Sequence, residues 1–252
     1  MRPSLAAALV TLAATSCLVA LRPVEAQTGR VTEDVEGGRQ LFLEGCASCH
    51  GADGRGVDEP DGDVRGPSLE DAGEALAYYY LSTGRMPLAN AEEVAVRKEP
   101  AYDDDQIRQL VAYVGTLGDG PALPVLPDEG TLPAGGELYR GNCAPCHSAG
   151  GIGGPLSYGQ AAPSLRPAEP LEIASAIRSG PGEMPRFGED VLSDQEVADI
   201  VEHVTDLGDQ DDQGGLSLGG VGPVAEGFVI WVFGIGGVLA LAFWIGRKGH
   251  PS

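Results

Sequence analysis

The chain has 252 residues, with 38 Gly, 19 Pro and five Cys, and a formal net charge of −21. An acidic surface repels the phosphate backbone, which excludes a nucleic-acid partner. So much Gly and Pro implies long loops, and small units poor in regular structure need a staple beyond their own apolar core.

Residues 1–26 read as a secretory signal: Arg2, an apolar run from Leu5 to Leu21, then Val24-Glu25-Ala26 as a cleavage site before Gln27. An uncleaved anchor is the competing reading, because the run is close to the minimum spanning length. Cys17 follows Ala14-Thr15-Ser16, which lacks the Leu that opens a lipobox, so it reads as incidental.

Residues 28–118 form a first unit. Gly38 is expected to open a short helix carrying Leu41 and Phe42 and delivering Cys46-Ala47-Ser48-Cys49-His50. C-x-x-C-H is the attachment signature of a c-type haem: two thiols add to the vinyl groups and the adjacent imidazole binds the iron. A Gly/Asp-rich loop leads to Gly66-Pro67-Ser68-Leu69, a helical piece spans 72–81, and Thr83-Gly84-Arg85-Met86-Pro87 follows. Ile107, Leu110, Val111, Val114 and Leu117 repeat at helical spacing and define a closing helix. The acidic run Asp103-Asp104-Asp105 before it suits the helix dipole.

Residues 119–133 are a Pro-rich, semi-rigid linker. Residues 134–208 repeat the first unit, offset by about 97 residues. The repeat contains Leu138 and Tyr139, then Cys143-Ala144-Pro145-Cys146-His147, Pro163-Ser164-Leu165 and Met184-Pro185. Ser193-Asp194-Gln195-Glu196 is a capping box, opening a helix with Val197, Ile200, Val201, Val204 and Leu207.

Residues 209–226 are an acidic, Gly-rich tether. Residues 227–246 carry no charge and as a helix would be roughly 30 Å long, the depth of a bilayer core. Trp231 and Trp244 fall near its ends, and Arg247-Lys248 begin the tail 247–252. The positive-inside rule puts that tail in the cytoplasm and both repeats outside, on a single-pass membrane protein. Gly234, Gly236, Gly237 and Ala240 would allow close packing against another helix in the membrane.

The four motif cysteines Cys46, Cys49, Cys143 and Cys146 therefore read as covalent attachment points for two haems c, with His50 and His147 as first axial ligands. Apart from Met1 the chain has two Met, and each lies downstream of one motif, 36 and 37 residues after its His. Met86 and Met184 are accordingly read as the second axial ligands. His/Met ligation raises the potential and closes the iron to exogenous ligands, which points to electron transfer. His203 is a rival ligand, but it stands where the first unit has Tyr113, so it reads as a packing or surface position. Pro67 and Pro163 are expected to offer a backbone carbonyl to the ligating imidazole, orienting the ring. The two units differ most between the Met and the closing helix: the first carries an extra stretch from Asn90 through Asp103, with Arg97-Lys98. It reads as a docking loop or as an idle surface loop.

Between them, residues 27–226 hold 36 acidic and 12 basic side chains, a surface read as serving solubility or salt tolerance.

Tandem C-x-x-C-H units, the Gly84-Arg85-Met86-Pro87-Leu88 and Met184-Pro185 loops, an exported N-terminus and a span ending Trp244-Ile245-Gly246-Arg247-Lys248 resemble the dihaem cytochrome c subunit of the actinobacterial cytochrome bc1 (bcc) complex. The resemblance extends to Gly222-Pro223-Val224-Ala225-Glu226-Gly227 before the span. It implies a subunit of a quinol–cytochrome c reductase. In that role electrons pass from menaquinol at the cytochrome b subunit through a Rieske iron–sulfur subunit to one c haem. They continue to the second, which replaces a soluble cytochrome c, and then to an aa3-type cytochrome c oxidase. The strongly acidic surface departs from the family's pattern. The fold expected is all-α: two tandem cytochrome c domains and one C-terminal transmembrane helix. The alternatives are a membrane-anchored dihaem carrier, a terminal-oxidase subunit, or a dihaem peroxidase, which requires one iron with an open site.

Overall fold

The computed structural model describes residues 25–58, 64–127, 129–209 and 223–248. The signal segment up to residue 24, with Cys17, and tether residues 210–222 lie outside them. The chain divides into two units, Met1–Leu123 and Pro124–Ser252.

In the first unit α1 (Glu25–Gly45) leads into a single helical turn, α2 (Ala47–His50). A two-residue hairpin of β1 (Val57–Asp58) and β2 (Val64–Gly66) follows, then α3 (Gly73–Ser82) and α4 (Asp104–Val114). Helix α4 is the hub, with α1 and α3 both packed on it. Its apolar face buries Ile107, Leu110, Val111 and Val114 against Phe42, Ala72 and Leu81. Phe42 is 1% exposed, and burial of such a side chain is worth about 1.5–3 kcal/mol.

The second unit repeats this plan with α5 (Leu132–Asn142), α6 (Ala144–His147), a hairpin of β3 (Gly154–Pro155) and β4 (Ala161–Ala162), α7 (Pro170–Ser179) and α8 (Asp194–Asp209). Tyr139, Ile173, Ile177, Val197, Ile200, Val201 and Val204 form its core.

Gly38 does not open a helix, contrary to expectation; α1 begins at Glu25 and runs through it. Gly38 is there for close approach: a Cβ on it would lie 1.9 Å from the carbonyl oxygen of Gln109 in α4. Gly135 repeats the device, with the same 1.9 Å to the carbonyl oxygen of Asp199 in α8. Each crossing is thus backbone on backbone, and only glycine permits it.

Both closing helices are capped by reciprocal bonds. The expected box is present in α8: the Glu196 N–H donates to Ser193 Oγ (3.3 Å) and the Ser193 N–H to Glu196 Oε2 (2.8 Å). In α4 the acidic run does more than meet a dipole. The Asp103 carboxylate accepts from the Gln106 N–H (2.9 Å), and Gln106 Oε1 accepts from the Asp103 N–H (3.1 Å).

The Pro-rich stretch between the repeats is bonded at both ends. The Pro121 carbonyl accepts from the Ala75 N–H (3.1 Å) and Glu74 from the Leu123 N–H (3.0 Å). On the other side Leu126 packs on the second core and Asp199 accepts from the Thr131 N–H (2.8 Å).

The C-terminal stretch is one membrane-spanning helix, Gly227–Arg247. It is built from α9 (Pro223–Ile230), a wider π-helical turn (Trp231–Ile235) and α10 (Gly236–Lys248). Its large apolar side chains, from Phe228 to Ile245, face outward, as a lipid-facing helix requires. Arg247 folds back over the Phe243 ring, 5.5 Å from its centroid.

Candidate haem-binding sites

Each C-x-x-C-H motif is wound into one helical turn. The His50 N–H donates to the Cys46 carbonyl (2.9 Å) and the His147 N–H to the Cys143 carbonyl (2.9 Å). One turn puts the two cysteines of a motif, three residues apart, on the same face. None of the four is in a disulfide. Burial pushes the Cys46 and Cys143 thiols up to about 11, with the neighbouring cysteine adding to the rise in both. Tyr102 hydrogen-bonds Cys46 and works against that rise. A reactive redox pair needs the opposite, a thiolate held down by positive surroundings.

The Pro carbonyls are where the sequence predicts them. His50 Nδ1 lies 2.8 Å from the Pro67 carbonyl oxygen, and His147 Nδ1 lies 3.0 Å from that of Pro163. Nδ1–H is therefore the donor in both rings, which leaves the Nε2 lone pair free for a metal. Burial pulls the His147 imidazole below its ordinary range, and the Pro163 bond opposes that shift.

Met86 packs, half-buried, on the same cluster as Cys46, Leu69 and Leu76. Met184 packs likewise with Cys143, Ala144 and Leu165. In each unit the first cysteine of the motif and the methionine thus pack on one apolar cluster, and the oriented imidazole follows that cysteine by one helical turn. This donor set fits haem c: two carbon–sulfur attachments, a nitrogen and a sulfur ligand, and apolar walls.

His203 pairs with a ring. Its imidazole lies 5.2 Å from the Tyr139 ring at 53°, and in the first unit Phe42 and Tyr113 sit at 5.2 Å and 52°. The repeat has changed both partners while keeping one ring-on-ring contact. Tyr139 uses its hydroxyl to donate to the Ser148 carbonyl (2.7 Å), just after the motif.

The insertion after Met86 is neither idle nor merely exposed. The Lys98 N–H donates to the Thr83 carbonyl (3.2 Å) and Lys98 Nζ to the Pro87 carbonyl (3.1 Å), so it grips the Met86 loop on both sides. Within that loop the Met86 N–H donates to the Tyr80 carbonyl (3.1 Å). In the second unit Arg178 holds the corresponding segment, donating to the carbonyls of Phe187 (3.1 Å) and Leu192 (2.6 Å) and pairing with Asp194 (2.5 Å). Sequence reasoning assigned neither role. The available hint was that Lys98 is the one lysine between the signal and the span.

A family model described as "Cytochrome c" matches residues 35–118, and one described as "Cytochrome C oxidase, cbb3-type, subunit III" matches residues 130–204. Over nearly its whole length the chain is similar to curated relatives called "Cytochrome bc1 complex cytochrome c subunit". The one from Mycobacterium leprae is 40% identical, over 95% of this chain and 86% of that protein. The one from Mycobacterium tuberculosis is 42% identical over 84% and 77%, and that from Corynebacterium diphtheriae 37% identical over 89% and 86%. A "Cbb3-type cytochrome c oxidase subunit FixP" from Rhizobium meliloti is 34% identical, but over 34% of the chain.

Proposed function

Because the chain belongs to the family of cytochrome bc1 complex cytochrome c subunits, we propose that it is the dihaem electron carrier of a bc1-type quinol–cytochrome c reductase. Cys46 and Cys49 hold the first haem, with His50 and Met86 on its iron. Cys143 and Cys146 hold the second, with His147 and Met184. When bound, each haem supplies a one-electron iron couple, and the protein sets its potential and excludes other chemistry.

The chain's own residues do three things. The Pro67 and Pro163 carbonyls hold each imidazole in one tautomer and orientation. The braced methionine loops keep a sulfur beside each site, so that oxygen and peroxide find no open position. The apolar clusters keep water away and favour the less charged, reduced form. The path proposed runs from a Rieske iron–sulfur subunit beside cytochrome b, through one haem and then the other, to an aa3-type oxidase. The repeats face outside the cell membrane and the Arg247-Lys248 end faces the cytoplasm.

The observation that carries this reading is the repetition of the set in each unit: a thiol pair on one helical turn, a carbonyl-held imidazole, and a methionine on the cluster that takes the motif's first cysteine. A second reading, a terminal-oxidase subunit, is favoured by the oxidase-type match of residues 130–204. Affinity purification of the full chain from membranes distinguishes them. Cytochrome b and Rieske subunits should accompany it, and added quinol should reduce both c haems. Isolation with an oxidase core and without those two subunits would overturn the bc1 reading. A reduced spectrum that shifts fully with carbon monoxide at one haem would overturn the closed, electron-transfer reading.

A further inference from the structure

The loop that carries Met86 also carries a buried cation short of a partner. Arg85 is 9% exposed, and its guanidinium lies over the Tyr79 ring, 4.9 Å from the centroid. Its Nη1 is buried with no hydrogen-bond partner among the described residues. A guanidinium cannot shed its proton to escape burial, and buried charges in stable proteins are paired. Arg178, the buried arginine of the other unit, shows what satisfaction looks like here: two carbonyls and a carboxylate.

Resting on the reading that the first unit holds a haem under Met86, we propose that Arg85 is an anion-binding residue of that site and takes a propionate carboxylate of the haem. Arg85 directly precedes the ligand Met86, and Met86 shares its apolar cluster with Cys46. Haem would bring propionate carboxylates into that site, and the planar fork of arginine suits a carboxylate's two oxygens. The second unit has no counterpart: Glu183 precedes Met184 there and is exposed. Among the described residues its buried side-chain atoms without partners are the hydroxyls of Ser175 and Thr205, which carry no charge.

The consequence is an inequality between two otherwise repeated stations. Reduction lowers the positive charge of the iron by one, so a nearby fixed cation favours the reduced state. Arg85 therefore raises the potential of the first haem and leaves the second unaffected.

The test is a spectroelectrochemical titration of both haems in the full-length, haem-loaded chain with Arg85→Gln and Arg85→Lys. Arg85→Gln should shift the reduction equilibrium of one haem about tenfold toward the oxidised form, 59 mV for a one-electron couple, and leave the other in place. Both haems unmoved, with the sulfur–iron charge-transfer band intact, would overturn the proposal. Arg85→Lys keeps the charge and loses the fork, so the equilibrium should stay within about twofold while the propionate bending mode moves in the resonance Raman spectrum. This second variant decides the matter if Arg85→Gln loses the ligand loop, and an unmoved mode counts against the proposal. Absence of the charge-transfer band from the unsubstituted chain would instead overturn the Met86 reading beneath it.

Discussion

The two units brace their methionine loops with different cations. In the first, Lys98 reaches in from an insertion: its ammonium bonds the Pro87 carbonyl, and its backbone N–H bonds that of Thr83. In the second, Arg178 stands inside α7 and bonds the carbonyls of Phe187 and Leu192. The Arg178 side chain is 7% exposed and that of Lys98 39%. The difference teaches what the module requires. A ligand loop has no helix or sheet to satisfy its carbonyls, so something must donate to them. The repeat kept its thiols, imidazole and thioether at fixed spacing, whereas the donor of the brace came from wherever the chain offered one.

The strongest way to break this picture of parallel units is to remove one attachment. Replacing Cys143 and Cys146 together by Ala should leave one covalent haem per chain, read by intact mass and haem staining. Loss of both haems would show that the units do not load independently, and loss of neither would remove Cys143 and Cys146 as attachment points. Next, Met86→Leu and Met184→Leu should each lower the potential of one haem only, with a shift of at least about tenfold in its reduction equilibrium. An unchanged potential in either variant would remove that methionine from the iron.

A smaller effect separates the two braces. Arg178→Met should destabilise the second unit by about 2–3 kcal/mol, because it strands two carbonyls at a buried site. Lys98→Met should cost about 0.5–1 kcal/mol, since it loses the ammonium's bond to Pro87 at a solvated rim and keeps the backbone bond to Thr83. Denaturant unfolding followed at each haem's absorbance measures both, and equal losses would erase the distinction between an inner and an outer brace. The least effect is expected from His203→Tyr, which swaps in the residue type of the first unit. It should change stability by no more than about 0.5 kcal/mol and retain two haems with unaltered spectra. A spectral change at one haem would make His203 a ligand after all.

Much of each candidate site could be read from the residues alone. The C-x-x-C-H turns are local and one turn long, and only two methionines were available to serve as sulfur ligands. The Pro67 and Pro163 carbonyls followed from what an imidazole ligand needs, and the match of His203 to Tyr113 from comparing one copy with the other. These features are written in short spacings or in the 3.6-residue period, and both survive without knowledge of the path between them.

The tertiary structure alone decided the rest. Gly38 looked like a helix start because glycine disfavours helix interiors. It lies inside α1 because the Gln109 carbonyl of α4 leaves no room for a Cβ, and that constraint comes from a chain segment some seventy residues away. Lys98 and Arg178 carry no local signal of their partners, since which carbonyl each meets depends on where an irregular loop returns. Arg85 is the sharpest instance. Its position beside Met86 was visible from the start, but its burial and its unpartnered Nη1 exist only once α3 and the ligand loop have closed around it. Covalent spacing sets which atoms can reach a metal; the packing of loops sets which charges are left beside it.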